Sequence, residues 1–267
     1  MIYQYTNLDA LLGILKRESK NICLWATRYN CLNDPNEISF GINTIKKLLT
    51  KYKERYSRDL FNGSITPFDD FASIVCCPFI ISFSKKKDFL PMWNTYGSRG
   101  NGVSLGFDRD IIYKNKNNWM LNDCGYYDET KEADEHVLQN ILPKYEQKYG
   151  QDVVNGYLNL VAELCSIIKN PYYEYEEEVR LFNFSQSTYN KQPIFFNPIL
   201  EENIKFRTRN NEIIPYTEFY LPKQSLKEIY LGPSLDKEFS EEKIRYYLEI
   251  CGFGDVTIIQ SNAPYRC

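Results

Sequence analysis

The segment Tyr175-Glu176-Glu177-Glu178-Val179-Arg180-Leu181-Phe182-Asn183-Phe184 passes from three glutamates into an apolar run. This run predicts a strand from Glu178 to Phe184. Short apolar runs follow, and they predict further strands at Ile194–Phe196, Ile204–Thr208, Tyr216–Leu221, Ile229–Leu231 and Val256–Gln260. Strands therefore dominate the second half of the chain.

Helices are predicted mainly in the first half and the middle of the chain. Leu8, Leu11 and Leu15 fall at helical spacing, and further helices are predicted over residues 45–56, 137–145, 154–168 and 240–252. Strands at Phe79–Ser84 and Val103–Phe107 are joined by a glycine-rich turn. Because strands and helices do not alternate regularly, the predicted fold class is α+β.

The start of the strand at Glu178 is the first candidate site. Side chains alternate along a strand, so Glu176, Glu178 and Arg180 are expected on one polar face. Two carboxylates this close repel each other, which tends to raise the pKa of one, and Arg180 would keep the other ionised. Such a pair suits a reaction that needs one carboxylate to stabilise positive charge and another to accept a proton. The alternative is a solvated edge strand.

A second candidate site follows the strand Phe79–Ser84. Ser82 and Ser84 share a strand face, and the basic loop Lys85–Lys87 comes next. Two hydroxyls beside cations can hold a ribose and a diphosphate through charge-assisted hydrogen bonds. A solvated loop is the alternative.

A basic stripe is predicted near the strand Ile204–Thr208. Lys205, Arg207 and Arg209 share one strand face, which makes them candidates for contact with a nucleic acid. The alternative is a solvated strand face.

Composition argues against several functional classes. The net charge is −3, the single histidine is His136, and the eight cysteines lack a metal-binding spacing. Histidine-based triads and zinc sites are therefore disfavoured, and no metal is expected. The sequence shows neither a signal peptide nor an apolar stretch of about 18 residues, so we expect a cytoplasmic protein without a membrane partner.

Taken together, these segments resemble a bacterial family, the domain of unknown function twenty-nine seventy-one. The matching pieces occur in one order through nearly the whole chain. They are Tyr3-Gln4-Tyr5-Thr6, Leu32-Asn33-Asp34-Pro35-Asn36-Glu37, Ser82-Phe83-Ser84, Met92-Trp93, Gly100-Asn101-Gly102-Val103-Ser104-Leu105-Gly106-Phe107, Glu176-x-Glu178-x-Arg180, Ile229-Tyr230-Leu231-Gly232-Pro233 and Ser261-x-x-Pro264-Tyr265-Arg266.

That family is similar to a distant branch of the ADP-ribosyltransferases. The resemblance implies one domain over residues 1–267, folded as a split β-sandwich with flanking helices. It also implies an NAD site built from three strand motifs, whose residues here are Gln4, Tyr5 and Thr6, then Ser82 and Ser84, then Glu176 and Glu178. Gln4 departs from the pattern, because His or Arg is usual there and glutamine supplies hydrogen bonds without charge.

The resemblance also implies roles. Glu178 would stabilise an oxocarbenium-like ribose and Glu176 would orient or deprotonate the acceptor. Arg180 would keep a carboxylate ionised, and Tyr96 or Trp93 would stack on the nicotinamide ring. NAD would be the substrate, with no metal. The acceptor would be RNA, DNA or a protein, as in a toxin-like or phage-defence transferase with an antitoxin or regulatory partner.

Two other functions fit the same residues. One is a non-catalytic module that binds a nucleotide or a partner on the same fold. The other is a Mg²⁺-dependent nuclease or phosphodiesterase that uses Glu176, Glu178, Asp34 and Glu37. The order of the motifs predicts that the strand of Ser82 and Ser84 lies beside the strand of Glu178, with a cleft between them that residues 3–6 line.

Overall fold

The computed structural model describes residues 1–34, 36–56, 78–127, 162–184, 187–189, 192–195, 203–209 and 211–265. The strands are β1 (Ile2–Thr6), β2 (Asn21–Arg28), β3 (Pro78–Ser84), β4 (Val103–Phe107), β5 (Met120–Asp123), β6 (Gly125–Tyr126), β7 (Ile168–Lys169), β8 (Glu178–Phe184), β9 (Ser187–Tyr189), β10 (Gln192–Phe195), β11 (Lys205–Arg209), β12 (Glu212–Pro222), β13 (Leu226–Leu231) and β14 (Thr257–Gln260). The α-helices are α1 (Leu8–Ile14), α2 (Glu37–Tyr56), α3 (Leu90–Thr95), α4 (Arg109–Asn115) and α5 (Lys237–Ile250), and residues 162–167 are also helical.

A ten-stranded, mostly antiparallel sheet forms the centre of the described fold. Eight strands follow the order β11-β12-β2-β3-β1-β4-β13-β14, β8 joins at β3, and β5 joins at β8. Only the pairing of β13 with β14 is parallel among those of this sheet. With its several helices, this arrangement confirms the predicted α+β class.

Strand β3 is the branch point of the sheet. One of its edges pairs with β8 along its whole length, from Pro78 to Ser84. Its other edge is shared, because Phe79 and Ile80 pair with β2 whereas Ser84 pairs with β1. Strands β1 and β2 therefore diverge along the middle of β3.

The two faces of the sheet differ in what covers them. One face packs against α1, α4 and α5, and its core includes Leu24, Leu105 and Leu181 from the strands with Leu11 and Leu248 from the helices. Burial of this apolar surface supplies the main driving force for folding. The other face carries a smaller aromatic cluster of Tyr3, Tyr5, Met92, Trp93 and Tyr230, to which α3 contributes.

Several predicted elements are confirmed, with shifted ends. Helix α5 begins at Lys237, before the predicted Ser240, because Asp236 caps it by accepting a hydrogen bond from the Phe239 amide. The predicted helix over 154–168 ends earlier, since Ile168 and Lys169 form β7. The predicted helix over 137–145 and His136 lie outside the described residues. No helix in the described ranges is long and apolar enough to cross a membrane.

Strand β2 is missing from the sequence prediction. Its residues Ile22, Leu24 and Ala26 are 0% exposed, and Cys23 and Thr27 are buried as well, so both faces of this strand are largely covered. The run from Ile22 to Ala26 is short and apolar, which is typical of a strand buried on both faces. The sequence therefore carried a signal for β2, and β2 proves to form one wall of the candidate site.

Candidate functional site

A cleft of about 850 Å³ opens beside β3, where β1 and β2 diverge. Its volume is within the range of about 300–1,000 Å³ that is usual for small-molecule sites. The predicted adjacency is confirmed, since Ser84 pairs directly with Glu178 across β3 and β8. The predicted position of the cleft between these two strands is wrong, because they are hydrogen-bonded to each other and the cleft opens at the other edge of β3. Residues from all three predicted motifs line the cleft: Gln4, Tyr5 and Thr6, Ser82 and Ser84, and Glu176 and Glu178.

Buried charged side chains form an ion cluster of Lys169, Glu176, Glu178 and Arg180 at the cleft. The Nζ atom of Lys169 donates to Oε2 of Glu176 at 2.5 Å and to Oε2 of Glu178 at 2.7 Å. The Nε and Nη2 atoms of Arg180 donate to the two oxygens of Glu178, each at 2.9 Å. Two carboxylates and two cations thus offset each other in formal charge.

The sequence predicts that Glu176 and Glu178 form a repulsive pair of carboxylates, but the charges around Glu178 differ from that prediction. Burial on its own raises the pKa of Glu178, because it disfavours the charged form. The charges of Arg180 and Lys169 and their hydrogen bonds outweigh burial, so the pKa of Glu178 lies well below its usual value. Arg180 thus donates to Glu178 in the way that the predicted role requires. Lys169, which the sequence prediction omits, lies between the glutamates and attracts both.

The backbone around the glutamates also departs from the predicted strand. Pro171–Glu176 is a 3₁₀ helix, and Glu177 adopts a left-handed conformation with φ of 42°, so the strand begins only at Glu178. Placing Glu176 on a polar strand face was therefore wrong. Both glutamates are buried, and they meet because the chain turns between them.

Tyrosines surround the ion cluster. The Tyr96 hydroxyl donates to Oε1 of Glu176 at 2.7 Å, and the Tyr126 hydroxyl accepts from the Glu178 amide at 2.7 Å. Burial and the Glu176 carboxylate raise the pKa of Tyr96, so Tyr96 stays protonated and keeps donating. Tyr96 lines the cleft, and the Lys169 ammonium lies over the Tyr173 ring. The predicted position of Tyr96 in the site is thus compatible with the structure.

The two serines of the second motif have different environments. Ser82 is exposed and lines the cleft. Ser84 is buried, and its hydroxyl donates to the Glu176 carbonyl at 2.5 Å and accepts from the Lys86 amide at 3.0 Å. The hydroxyl of Ser84 therefore positions Glu176. The basic loop is largely neutralised, since Lys85 pairs with Asp123 and Lys86 with Glu177.

Gln4 and Tyr5 of the first motif differ in the hydrogen bonds that their side chains already make. Gln4 carries a buried side-chain oxygen, Oε1, that has no hydrogen-bond partner among the described residues. An unpaired buried polar atom is costly, and such atoms are frequently paired by a ligand or water. The Tyr5 hydroxyl is already engaged with the Lys86 carbonyl and the Phe89 amide. Gln4 therefore has hydrogen-bonding capacity left for a bound molecule.

Trp93 does not belong to the cleft, so its predicted contact with nicotinamide is wrong. Its side chain is 0% exposed, and it packs edge-to-face against Tyr5 with the ring centroids 4.8 Å apart. Its Nε1 donates to Asp88, which also accepts from the Ser261 hydroxyl. Asp88, together with Trp93 and Ser261 from two of the matching sequence pieces, thus joins the C-terminal segment to the loop before α3.

Arg180 is likewise absent from the cleft lining. It is fully buried behind Glu178, and its Nη1 donates to the Ser166 carbonyl at 2.6 Å. Arg180 therefore acts on a bound molecule only through Glu178.

The wall of the cleft across from the ion cluster comes from β2 and β11. It includes Trp25, Thr27, Arg207 and Arg209. Two of the three residues of the predicted basic stripe thus face the cleft, and the third, Lys205, pairs with Glu218 at 2.7 Å instead. The sequence prediction omits Trp25, because its strand was not identified.

Comparison with known proteins gives one family match, which covers part of the chain. Residues 92–181 match the model of a family described as Protein of unknown function (DUF2971). The match includes most of α3, all of β4 and the segment from Glu176 to Arg180, and it supports the resemblance to this family of unknown function. No curated protein and no solved structure matches the chain.

Proposed function

We propose that this protein is an NAD-dependent ADP-ribosyltransferase-like enzyme that modifies a macromolecule. One observation carries the proposal: three segments far apart in sequence converge on one cleft, which contains an ionised, buried glutamate. We also propose that the sheet, opened between β1 and β2, corresponds to the split β-sandwich of that class. The family match is to proteins of unknown function, so the proposal depends on the site.

The cleft offers suitable groups for NAD. Its volume of about 850 Å³ leaves room for a bent dinucleotide. The free oxygen of Gln4 and the exposed hydroxyl of Ser82 would accept hydrogen bonds from ribose hydroxyls. Tyr96 would offer a ring edge or face beside Glu176. We assign Gln4, Thr6, Ser82 and Tyr96 to NAD contacts.

The chemistry follows from the charge on Glu178. The bond between ribose C1′ and nicotinamide breaks, and nicotinamide leaves with the bonding electrons. The ribose becomes oxocarbenium-like, and the Glu178 carboxylate stabilises this positive charge. The acceptor nucleophile then bonds to C1′, and its proton passes to Glu176.

A second candidate, the non-catalytic binding module, is favoured by a different observation. Both oxygens of Glu178 already accept hydrogen bonds from Lys169 or Arg180, which lowers the negative charge available to a ribose. A Mg²⁺-dependent nuclease fits less well, because these cations occupy the positions that a metal ion would take next to Glu176 and Glu178. The side chain of Asp34 is engaged within its own turn, because its Oδ1 atom accepts a hydrogen bond from the Asn36 amide.

Three measurements on the same protein separate the three functions. We would titrate the protein with NAD by calorimetry, and we would measure nicotinamide release and transfer of labelled ADP-ribose to a cell lysate. The transferase predicts binding, release and a labelled macromolecule, all insensitive to chelator. Binding without release would favour the module, and loss of activity with chelator would favour the nuclease.

A further inference from the structure

Arg207 occupies an unusual position in the wall of the cleft. Its guanidinium lies over the rings of Trp25 and Tyr216, with centroid distances of 5.2 and 5.8 Å. Its Nη2 donates to the Thr27 hydroxyl at 3.0 Å. The two rings lie 4.5 Å apart between centroids, so the guanidinium rests on a packed aromatic support. Arg207 is thus held in one orientation by strands β2 and β12.

Among the described residues, no carboxylate pairs with the two arginines of this wall. Lys205 on the same strand face, by contrast, pairs with Glu218. Arg209 donates instead to the Cys31 carbonyl. Burial lowers the pKa of Arg207, and the charge of Arg209 lowers it further. Two cations held together in a cleft attract an anion.

Hydrogen-bond donors in the same wall are also unused. The Nε1 atom of Trp25 and the Nε atom of Arg207 are buried and have no partner among the described residues. Both side chains line the cleft. A buried N–H group without an acceptor is costly, so this wall is suited to a ligand that brings acceptor oxygens.

We propose that Arg207, Arg209 and Trp25 form a subsite for the phosphate groups of a nucleotide-containing ligand. The planar guanidinium matches phosphate oxygens, and its hydrogen bonds to them are charge-assisted. Residues two apart on a strand are separated by roughly 7 Å, so Arg207 and Arg209 suit two neighbouring anionic groups better than one isolated carboxylate. The source of the phosphates, either the diphosphate of NAD or the backbone of a nucleic-acid acceptor, rests on the proposed function.

The subsite is tested by comparing phosphate-bearing probes with a probe that lacks phosphate. We would measure the binding of ADP, NAD, a single-stranded oligothymidylate and adenosine to the full chain by calorimetry. The variants are Arg207→Met, which keeps an aliphatic side chain without the guanidinium, and Trp25→Phe, which keeps an aromatic ring without the Nε1–H donor. Lys205→Met is the matched control. Lys205 lies on the same strand face and carries the same charge, but it does not line the cleft.

We expect Arg207→Met to weaken ADP binding about 10-fold to 100-fold and Trp25→Phe to weaken it about 3-fold to 10-fold. Lys205→Met should bind ADP as the wild type does, and adenosine should bind equally to all four proteins. Weaker NAD binding by Arg207→Met assigns the phosphates to the donor. Weaker oligothymidylate binding alone assigns them to the acceptor.

The subsite is refuted if the wild type binds ADP no better than adenosine, or if Lys205→Met and Arg207→Met lose the same affinity. Thermal unfolding of each variant identifies loss of fold, and Trp25→Phe then decides the result if Arg207→Met does not fold. Failure of the transferase proposal looks different. In that case nicotinamide is not released, while ADP binding still depends on Arg207.

Discussion

At the residue scale, Glu178 shows how opposing effects decide the state of one carboxylate. Burial alone favours its neutral form, whereas Arg180 and Lys169 favour the anion, and the effect of these two cations is larger. The same contacts make Glu178 structural as well as a candidate catalyst, because removing its charge leaves two buried cations, Lys169 and Arg180, with Glu176 as the one carboxylate of the cluster. A single substitution therefore cannot separate the two roles.

A charge-balanced pair of substitutions separates them. Glu178→Gln alone should destabilise the protein by about 3–5 kcal/mol, since it breaks a buried ion cluster. Adding Lys169→Met restores the formal charge balance of the cluster, because one anion, Glu176, and one cation, Arg180, remain, so the double variant should regain part of this stability. If Glu178 stabilises the ribose cation, nicotinamide release by the double variant should stay about 100-fold or more below wild type.

Urea unfolding measures the change in stability, and the nicotinamide assay measures the change in activity, in the same samples. Lys169→Met alone is the control, because it retains the Glu178 carboxylate, and it should release nicotinamide faster than the double variant. Wild-type release by a stable double variant would contradict the catalytic role of Glu178.

At the element scale, the pairing of β3 with β8 holds the two candidate motifs together. Ser84 and Glu178 are partners in register, and the Ser84 hydroxyl also holds the turn at Glu176 and the loop at Lys86. The 3₁₀ helix and the left-handed Glu177 then direct the Glu176 side chain towards Lys169. The geometry of the site is thus set by a strand pairing and a turn.

Two serines on one strand test this arrangement. Ser84→Ala should destabilise the protein by about 1–3 kcal/mol, because it removes the hydroxyl that pairs with the buried Glu176 carbonyl and the partly buried Lys86 amide. Ser82→Ala is the matched control, two residues away on the same face but exposed, and it should change stability by less than about 0.5 kcal/mol. Denaturant unfolding compares the two. Equal effects of the substitutions would show that Ser84 does not position the turn.

At the scale of the whole molecule, the branching of the sheet at β3 creates the cleft. The edge of β3 that faces β1 and β2 is only partly paired, so its middle residues Ile81, Ser82 and Phe83 line the opening. The neutral ion cluster lies on one side of this opening, and the arginines of β11 lie on the other. The proposed phosphate subsite uses this distribution of charge.

The buried cluster also makes global stability depend on pH. The pKa of Glu178 is lower in the folded protein than its unfolded value near 4.5. A carboxyl group of this kind stabilises the fold fully above its unfolded pKa, and this contribution is lost as pH falls towards the folded pKa. We therefore expect the free energy of unfolding to fall steeply below about pH 4.5.

Urea unfolding between pH 7 and pH 3 measures this dependence. Asp123 and Glu218 also have lowered pKa values, because hydrogen bonds and cations outweigh their burial, so some slope should remain without Glu178. The double variant Glu178→Gln with Lys169→Met should show a shallower decline than wild type. An equal decline in both proteins would mean that Glu178 is not the dominant acid-sensitive group.

The sequence by itself determined the features that depend on neighbours along the chain. Short apolar runs indicated β3 and β8, alternation indicated β4, and the irregular order of strands and helices indicated the α+β class. These features follow from local periodicity and backbone hydrogen bonding, which can be derived from the sequence. The adjacency of the strands of Ser84 and Glu178 was predicted from the order of the family motifs instead.

Only the tertiary structure decided the environment of each candidate residue. Lys169 between the two glutamates, Trp93 in the interior and Arg207 on Trp25 all depend on contacts between distant segments. Sequence patterns do not encode burial at a given position, because burial depends on which elements pack there. Since the charge of Glu178 and the free donors of Trp25 and Arg207 are consequences of burial, the chemistry of this cleft is a property of the folded chain.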